Sequence, residues 1–179
     1  MKKQLPNILT YSRILIIPLL VLVFYFHNNV SDLICAILFF YASATDFFDG
    51  YLARAWHAHS NLGKFLDPIA DKLLIATCLM LLVGSDRAAM LPSLAILCRE
   101  ILVSGLREFL ADLHISVPVS TLAKYKTAAQ MLAIFLLLLG PGFPRLEAMG
   151  EFLIWAAALL TLVTGYAYLR TGLKHLAEG

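Results

Sequence analysis

Charge is scarce in this chain. Lysine, arginine, aspartate and glutamate make up 15% of its 179 residues, against 60% hydrophobic side chains, too small a polar share to cover an ordinary soluble domain of this size. Cysteine is scarce too. Cys35, Cys78 and Cys98 all fall inside apolar runs, without metal-ligand spacing and without a polar loop in which to pair, so they read as packing residues rather than a disulfide framework. Internal repeats, low-complexity tracts and nucleic-acid motifs are missing, which sets aside solenoids, disordered linkers and nucleic-acid partners. The opening Met-Lys-Lys followed by apolar residues looks like a cleavable leader, but Arg13 interrupts the run and no small-residue cleavage pattern follows. The segment is therefore expected to remain as a first helix.

What the chain has in excess is hydrocarbon. It falls in six runs, 7–26, 33–51, 65–83, 91–111, 122–139 and 152–170, each roughly the 20 residues that span a bilayer as a helix. The expected fold is an all-α integral membrane protein of six transmembrane helices, with 1–179 as one domain. Lysine and arginine placement sets the expected orientation. Lys2, Lys3, Arg13, Arg54, Lys64, Lys72, Arg107, Lys124, Lys126, Arg170 and Lys174 fall on one side, Arg87 and Arg145 on the other, and Arg99 within a span. Both termini should then face the cytoplasm.

Against this apolar background, residues 46–71 carry Asp46, Asp49, Gly50, Ala53, Arg54, Gly63, Asp67 and Asp71. Ionisable groups at the edge of hydrocarbon are costly and point to function. Residues three or four apart share a helical face, so Asp46 pairs with Asp49 and Asp67 with Asp71. Two pairs need two helices, and 55–62 is a length that joins antiparallel neighbours, so the four carboxylates can converge. Gathered oxygens of this kind suit one or two hard divalent cations, Mg²⁺ or Mn²⁺. Gly50 and Gly63 let a ligand approach the backbone, and Arg54 can fork onto a phosphate. Taken singly, Asp49-Gly50 would be a turn, and Asp67-Pro68 a helix start with Asp67 as cap. His57 and His59 are expected in a solvated turn.

These eight positions match, without gap or mismatch, Asp-x2-Asp-Gly-x2-Ala-Arg-x8-Gly-x3-Asp-x3-Asp, and the chain thereby resembles the CDP-alcohol phosphotransferase family. The resemblance implies a six-helix membrane enzyme, commonly a homodimer, that moves a substituted phosphoryl group from a CDP-linked donor to an alcohol and releases CMP. It also implies Asp46, Asp49, Asp67 and Asp71 as metal ligands, Asp71 as general base, and Gly50, Ala53, Arg54 and Gly63 around the nucleotide.

The flanks carry further candidates. Asn7, Thr10 and Arg13 share one helical face and are expected to touch substrate, although Arg13 alone could snorkel. Lys64 and Lys72 are interfacial anchors or phosphate contacts. Arg99 stands near mid-span with Glu100, Arg107 and Glu108 close by, and either pairs with a carboxylate or binds an anion. With Lys124 and Lys126, Arg99 and Arg107 make a basic cluster suited to an acceptor that bears its own phosphate. The segments Asn-Ile-Leu-Thr-Tyr-Ser-Arg, Arg-Glu-Ile-Leu-Val-Ser-Gly-Leu-Arg and Lys-Tyr-Lys-Thr-Ala-Ala-Gln are similar to the bacterial branch of that family acting on CDP-diacylglycerol and sn-glycerol 3-phosphate. That branch implies membrane lipids as surroundings and the bacterial inner membrane as location, with the site facing the cytoplasm. Inositol phosphate, serine and phosphatidylglycerol are the alternative acceptors. A cation transporter and a purely structural membrane protein are the rivals from other classes.

Overall fold

A computed structural model describes residues 5–56, 61–113, 121–140 and 142–177, with side chains for 10–45, 66–113, 121–140 and 142–172. Among them all regular structure is helical: α1 (Leu5–Phe24), α2 (Asn29–Trp56), α3 (Asn61–Gly84), α4 (Met90–Asp112), α5 (Thr121–Leu139) and α6 (Pro144–Ala177). Each helix coincides with one of the apolar runs, although α1 ends at Phe24, two residues before its run does. Several run further, because a helix does not stop where hydrophobicity stops. The 28 residues of α2 and the 34 of α6 measure roughly 42 and 51 Å at 1.5 Å per residue, more than the ~30 Å of hydrocarbon in a bilayer. The C-terminal part of α2 carries the first half of the aspartate signature, with Ala53 and Arg54 in the extension beyond the apolar run.

Local chemistry explains the ends. The Asn28 side-chain oxygen accepts the N–H groups of Val30 and Ser31 at 3.0 and 2.9 Å, capping the first turn of α2. Gly142 takes φ +102° between α5 and α6, a conformation natural to glycine, and Pro144 opens α6 where a missing N–H costs nothing. Two local alternatives fail. Gly50 lies inside α2 and Pro68 inside α3, so Asp49-Gly50 makes no turn and Asp67 caps no helix. Proline within a membrane-type helix is accommodated by its neighbours.

The core follows helical periodicity. Ile16, Leu20 and Phe24 of α1 meet Cys35, Phe39 and Ala42 of α2, Leu74 and Cys78 of α3, and Ile134 and Leu137 of α5. Helix α6 lies against α5 and α4, and its small residues allow close approach, as at Gly150, where a Cβ would stand 2.8 Å from Leu137 Cγ. Cys35 and Cys78 are buried as expected, but Cys98 is exposed on α4.

By length and apolarity, α5 and the stretch Pro144–Gly172 of α6 suffice to cross a membrane, while Thr10–Phe24 and Asn29–Thr45 are apolar but shorter. Large apolar side chains nevertheless stand exposed on every helix, among them Leu22, Phe40, Met80, Ile101, Leu132 and Phe152. Water disfavours such a belt and lipid accepts it.

At the end of the bundle away from the aspartates, the turn at 27–32 carries a tertiary tie. Asp32 in the first turn of α2 is buried and takes Arg87 Nη1 at 2.7 Å, and the guanidinium also lies 5.0 Å from the Phe24 ring centroid. Three segments are tied there by groups far apart in sequence. Removing one partner of a buried pair strands the other charge at a cost of about 3–5 kcal/mol. Arg87→Ala should therefore lower the thermal midpoint in detergent well beyond Arg145→Ala, whose parent side chain is exposed; equal shifts would deny the pair its structural role.

Candidate active site

Asp67 and Asp71 stand one turn apart on α3, and the facing surface of α1 presents Thr10 and Arg13, also one turn apart. Thr10 Oγ1 donates to Asp67 Oδ1, and Arg13 Nη1 donates to Asp71 Oδ1 at 2.7 Å. Arg13 is completely buried and Thr10 nearly so, whereas the Asp71 side chain is 41% exposed. A guanidinium with no access to water requires a carboxylate, and the pairing aims Asp71 while leaving it reachable from the cavity it lines. Thr10 and Arg13 thus hold the two aspartates from the α1 side.

Asp46, Asp49, Gly50, Ala53 and Arg54 lie on the helical backbone of α2, Gly63 and Lys64 at the start of α3, and Asn7 in α1; their side chains, with all of His57 and His59, fall outside the described residues. Among the described residues no three His, Cys, Asp or Glu side chains gather as a metal set. The described half still fits a hard cation. Two carboxylates at i, i+4, held from behind by α1 and partly exposed in front, supply the oxygen donors such an ion prefers.

Beside Lys72 lie two cavities, one between α3 and α4 and the other walled by α2 and α5 as well. The smaller, about 230 Å³, is the more polar of the two and is lined by Pro68, Lys72, Arg99, Glu100, Val103, Ser104, Arg107 and Glu108. The larger, about 360 Å³, is mostly apolar and includes Asp71, Lys72, Glu100 and Gln130. Lys72 and Glu100 line both cavities and so stand between Asp71 and the chamber lined by Arg99 and Arg107. Lys72 Nζ donates to Ser104 and lies 4.0 Å from Glu108.

The four expected acceptor-binding cations separate. Arg99 and Arg107 line the polar cavity. Arg99 Nη1 is 3.6 Å from Glu100 and Nη2 is 3.4 Å from Thr164 Oγ1, while Arg107 lies over the Tyr168 ring at 5.6 Å, a cation–π arrangement. Lys126 is buried and donates to Glu100, and neither it nor the exposed Lys124 lines either cavity. Sequence periodicity missed the contributions of α6: Thr164, Tyr168 and Gly165, where a Cβ would meet Arg99 Cγ at 2.8 Å. Their only sequence signal is the small-and-polar interruption of an otherwise apolar helix.

The chain belongs to the CDP-alcohol phosphatidyltransferase family, whose model matches residues 3–163. Among its relatives, the protein named CDP-diacylglycerol–glycerol-3-phosphate 3-phosphatidyltransferase in Rickettsia felis is 49% identical over 176 residues, 97% of each chain. Proteins of the same name in Cereibacter sphaeroides and Pectobacterium atrosepticum are 38% and 39% identical, each alignment covering 99% of this chain and 99% and 100% of the relative.

Glycine tests the packing around Arg99. A Cβ added to Gly105 would meet nothing within 4 Å, so Gly105→Ala should stabilise by up to about 1 kcal/mol through helix propensity. Gly165→Ala must push the Arg99 stem aside and should lower the thermal midpoint; a gain equal to that of Gly105→Ala would show that Arg99 is not seated against α6.

Proposed function

We propose that the chain transfers the phosphatidyl group of CDP-diacylglycerol to sn-glycerol 3-phosphate, giving phosphatidylglycerophosphate and CMP, the reaction of a phosphatidylglycerophosphate synthase in phospholipid synthesis. The observation that carries it is the near-complete alignment with relatives bearing that enzyme name. The unbroken aspartate signature supports the same chemistry. Six spans, cytoplasmic termini, an inner-membrane location, a site facing the cytoplasm and a homodimer belong to this proposal. The exposed apolar belt and the one-sided lysines and arginines support the topology.

In this reading Asp46, Asp49, Asp67 and Asp71 hold one or two Mg²⁺ or Mn²⁺ ions. Such an ion supplies charge neutralisation at the donor pyrophosphate. Asp71, aimed by Arg13, takes the proton from the acceptor hydroxyl. The hydroxyl oxygen attacks the β-phosphorus, the bond from that phosphorus to the bridging oxygen breaks, and CMP leaves. Gly50, Ala53, Arg54 and Gly63 shape the nucleotide site, with Asn7 near the donor. Lys72, Arg99 and Arg107, lining the polar cavity, receive the acceptor phosphate, and exposed Lys124 adds to the field that draws anions there. The apolar cavity beside Asp71 limits water, which would otherwise compete as nucleophile.

CMP release measured in detergent with each acceptor tests the assignment. Glycerol 3-phosphate should support turnover; release with inositol phosphate, serine or phosphatidylglycerol and none with glycerol 3-phosphate would overturn it. Mg²⁺-dependent thermal stabilisation by CMP is expected for this enzyme and unexpected for a cation transporter or a structural protein. Loss of a general base costs about 10²–10⁴-fold, so Asp71→Asn should lose that much kcat while CMP still stabilises it. Full activity would remove Asp71 from the role. Arg107→Ala should raise the acceptor KM about tenfold and leave the donor KM within about twofold; the reverse pattern would move Arg107 to the nucleotide.

A further inference from the structure

Glu100 is the carboxylate on which two of the chain's cations meet. Its Oε1 accepts from Lys126 on α5, and its Oε2 lies 3.6 Å from Arg99 Nη1 on its own helix. The Glu100 side chain is 26% exposed and lines both cavities, so an anion entering the polar chamber meets a negative charge in its wall. Lys126 has no comparable access. Its side chain is 3% exposed and lines neither cavity, so its ammonium meets Glu100 outside the chamber.

Those positions divide the labour among the cations. The chamber wall holds Lys72, Arg99 and Arg107 against Glu100 and Glu108. Glu108 is already near Lys72. With Glu100 unneutralised, its charge would draw Arg99 to itself and repel an arriving phosphate, since like charges in a site sheltered from water interact strongly. With Lys126 bound behind it, the charge of Glu100 is shared and its hold on Arg99, 3.6 Å away, is weakened, so Arg99 can still turn to an anion in the chamber.

Resting on the phosphorylated-acceptor reading above, we propose that Lys126 is a positioning residue: it neutralises and holds Glu100, which keeps Arg99 available to the acceptor phosphate, and does not itself contact that phosphate. This departs from the sequence expectation, in which Lys126 bound the phosphate directly.

The test is a suppressor pair assayed by CMP release with glycerol 3-phosphate. Lys126→Gln leaves Glu100 unopposed and should raise the acceptor KM roughly tenfold, with the donor KM unchanged within about twofold. Adding Glu100→Gln removes the stranded charge and should restore the acceptor KM to within about threefold of wild type. A direct phosphate contact predicts the opposite, because the double variant still lacks the ammonium; a double variant whose acceptor KM stays about tenfold or more above wild type overturns the proposal. A Lys126→Gln protein that loses only thermal stability, with its acceptor KM unmoved, overturns it as well. Should the single variant fail to fold, the double variant decides alone by the same KM criterion, since removing both members of a buried pair is often close to neutral; a double variant that does not fold counts against the proposal. Wild-type CMP release with glycerol 3-phosphate, measured alongside, tests the underlying reading separately.

Discussion

The contact between Arg13 and Asp71 sets the conditions for everything else in the site. A guanidinium wholly removed from water in the N-terminal half of α1 is tolerable only with a carboxylate against it, and Asp71 provides one at 2.7 Å. One turn away, Thr10 repeats the arrangement on Asp67. Together they lock the rotation of α1 against α3, because turning either helix by a fraction of a turn would bury a charge without a partner. The same lock points two carboxylates forward and holds them there, and a site built for phosphoryl chemistry needs such preorganisation.

A second pattern recurs through the bundle: cations lying against the core are matched to an anion or a ring. Arg87 has Asp32 and Phe24, Lys126 has Glu100, and even the more exposed Arg107 has Tyr168. Because lipid supplies no hydrophobic drive for helix association, such polar ties and small-residue contacts specify the packing. The pair at the far end of the bundle serves cohesion alone. Near Asp71 the same device stands beside a cavity, so how the carboxylates there are shared among the cations sets the charge a ligand would meet.

Helix lengths connect the fold to the chemistry. Apolar periodicity ends near 51 in α2 and begins near 65 in α3, yet the helices continue to Trp56 and start at Asn61. The aspartates lie just inside the facing ends of those two runs, on helical backbone at the margin of the apolar core. That margin suits a reaction between a lipid-borne donor and a water-soluble acceptor.

Much was determined by the order of residues alone. Six apolar runs imply six helices, and spacings of three and four put Asp46 with Asp49 and Asp67 with Asp71 on common helical faces. All of these are consequences of local geometry and composition, which are properties of short segments. Tertiary structure decided the partners. Thr10 and Arg13 were visible as one polar face but not as the clamp on α3, Asp32 and Arg87 lie 55 positions apart, and the burial of Lys126 on Glu100 depends on how α5 meets α4. No periodicity encodes which helix faces which, because that is settled by the simultaneous fit of side chains from several helices and by the need to neutralise each buried charge.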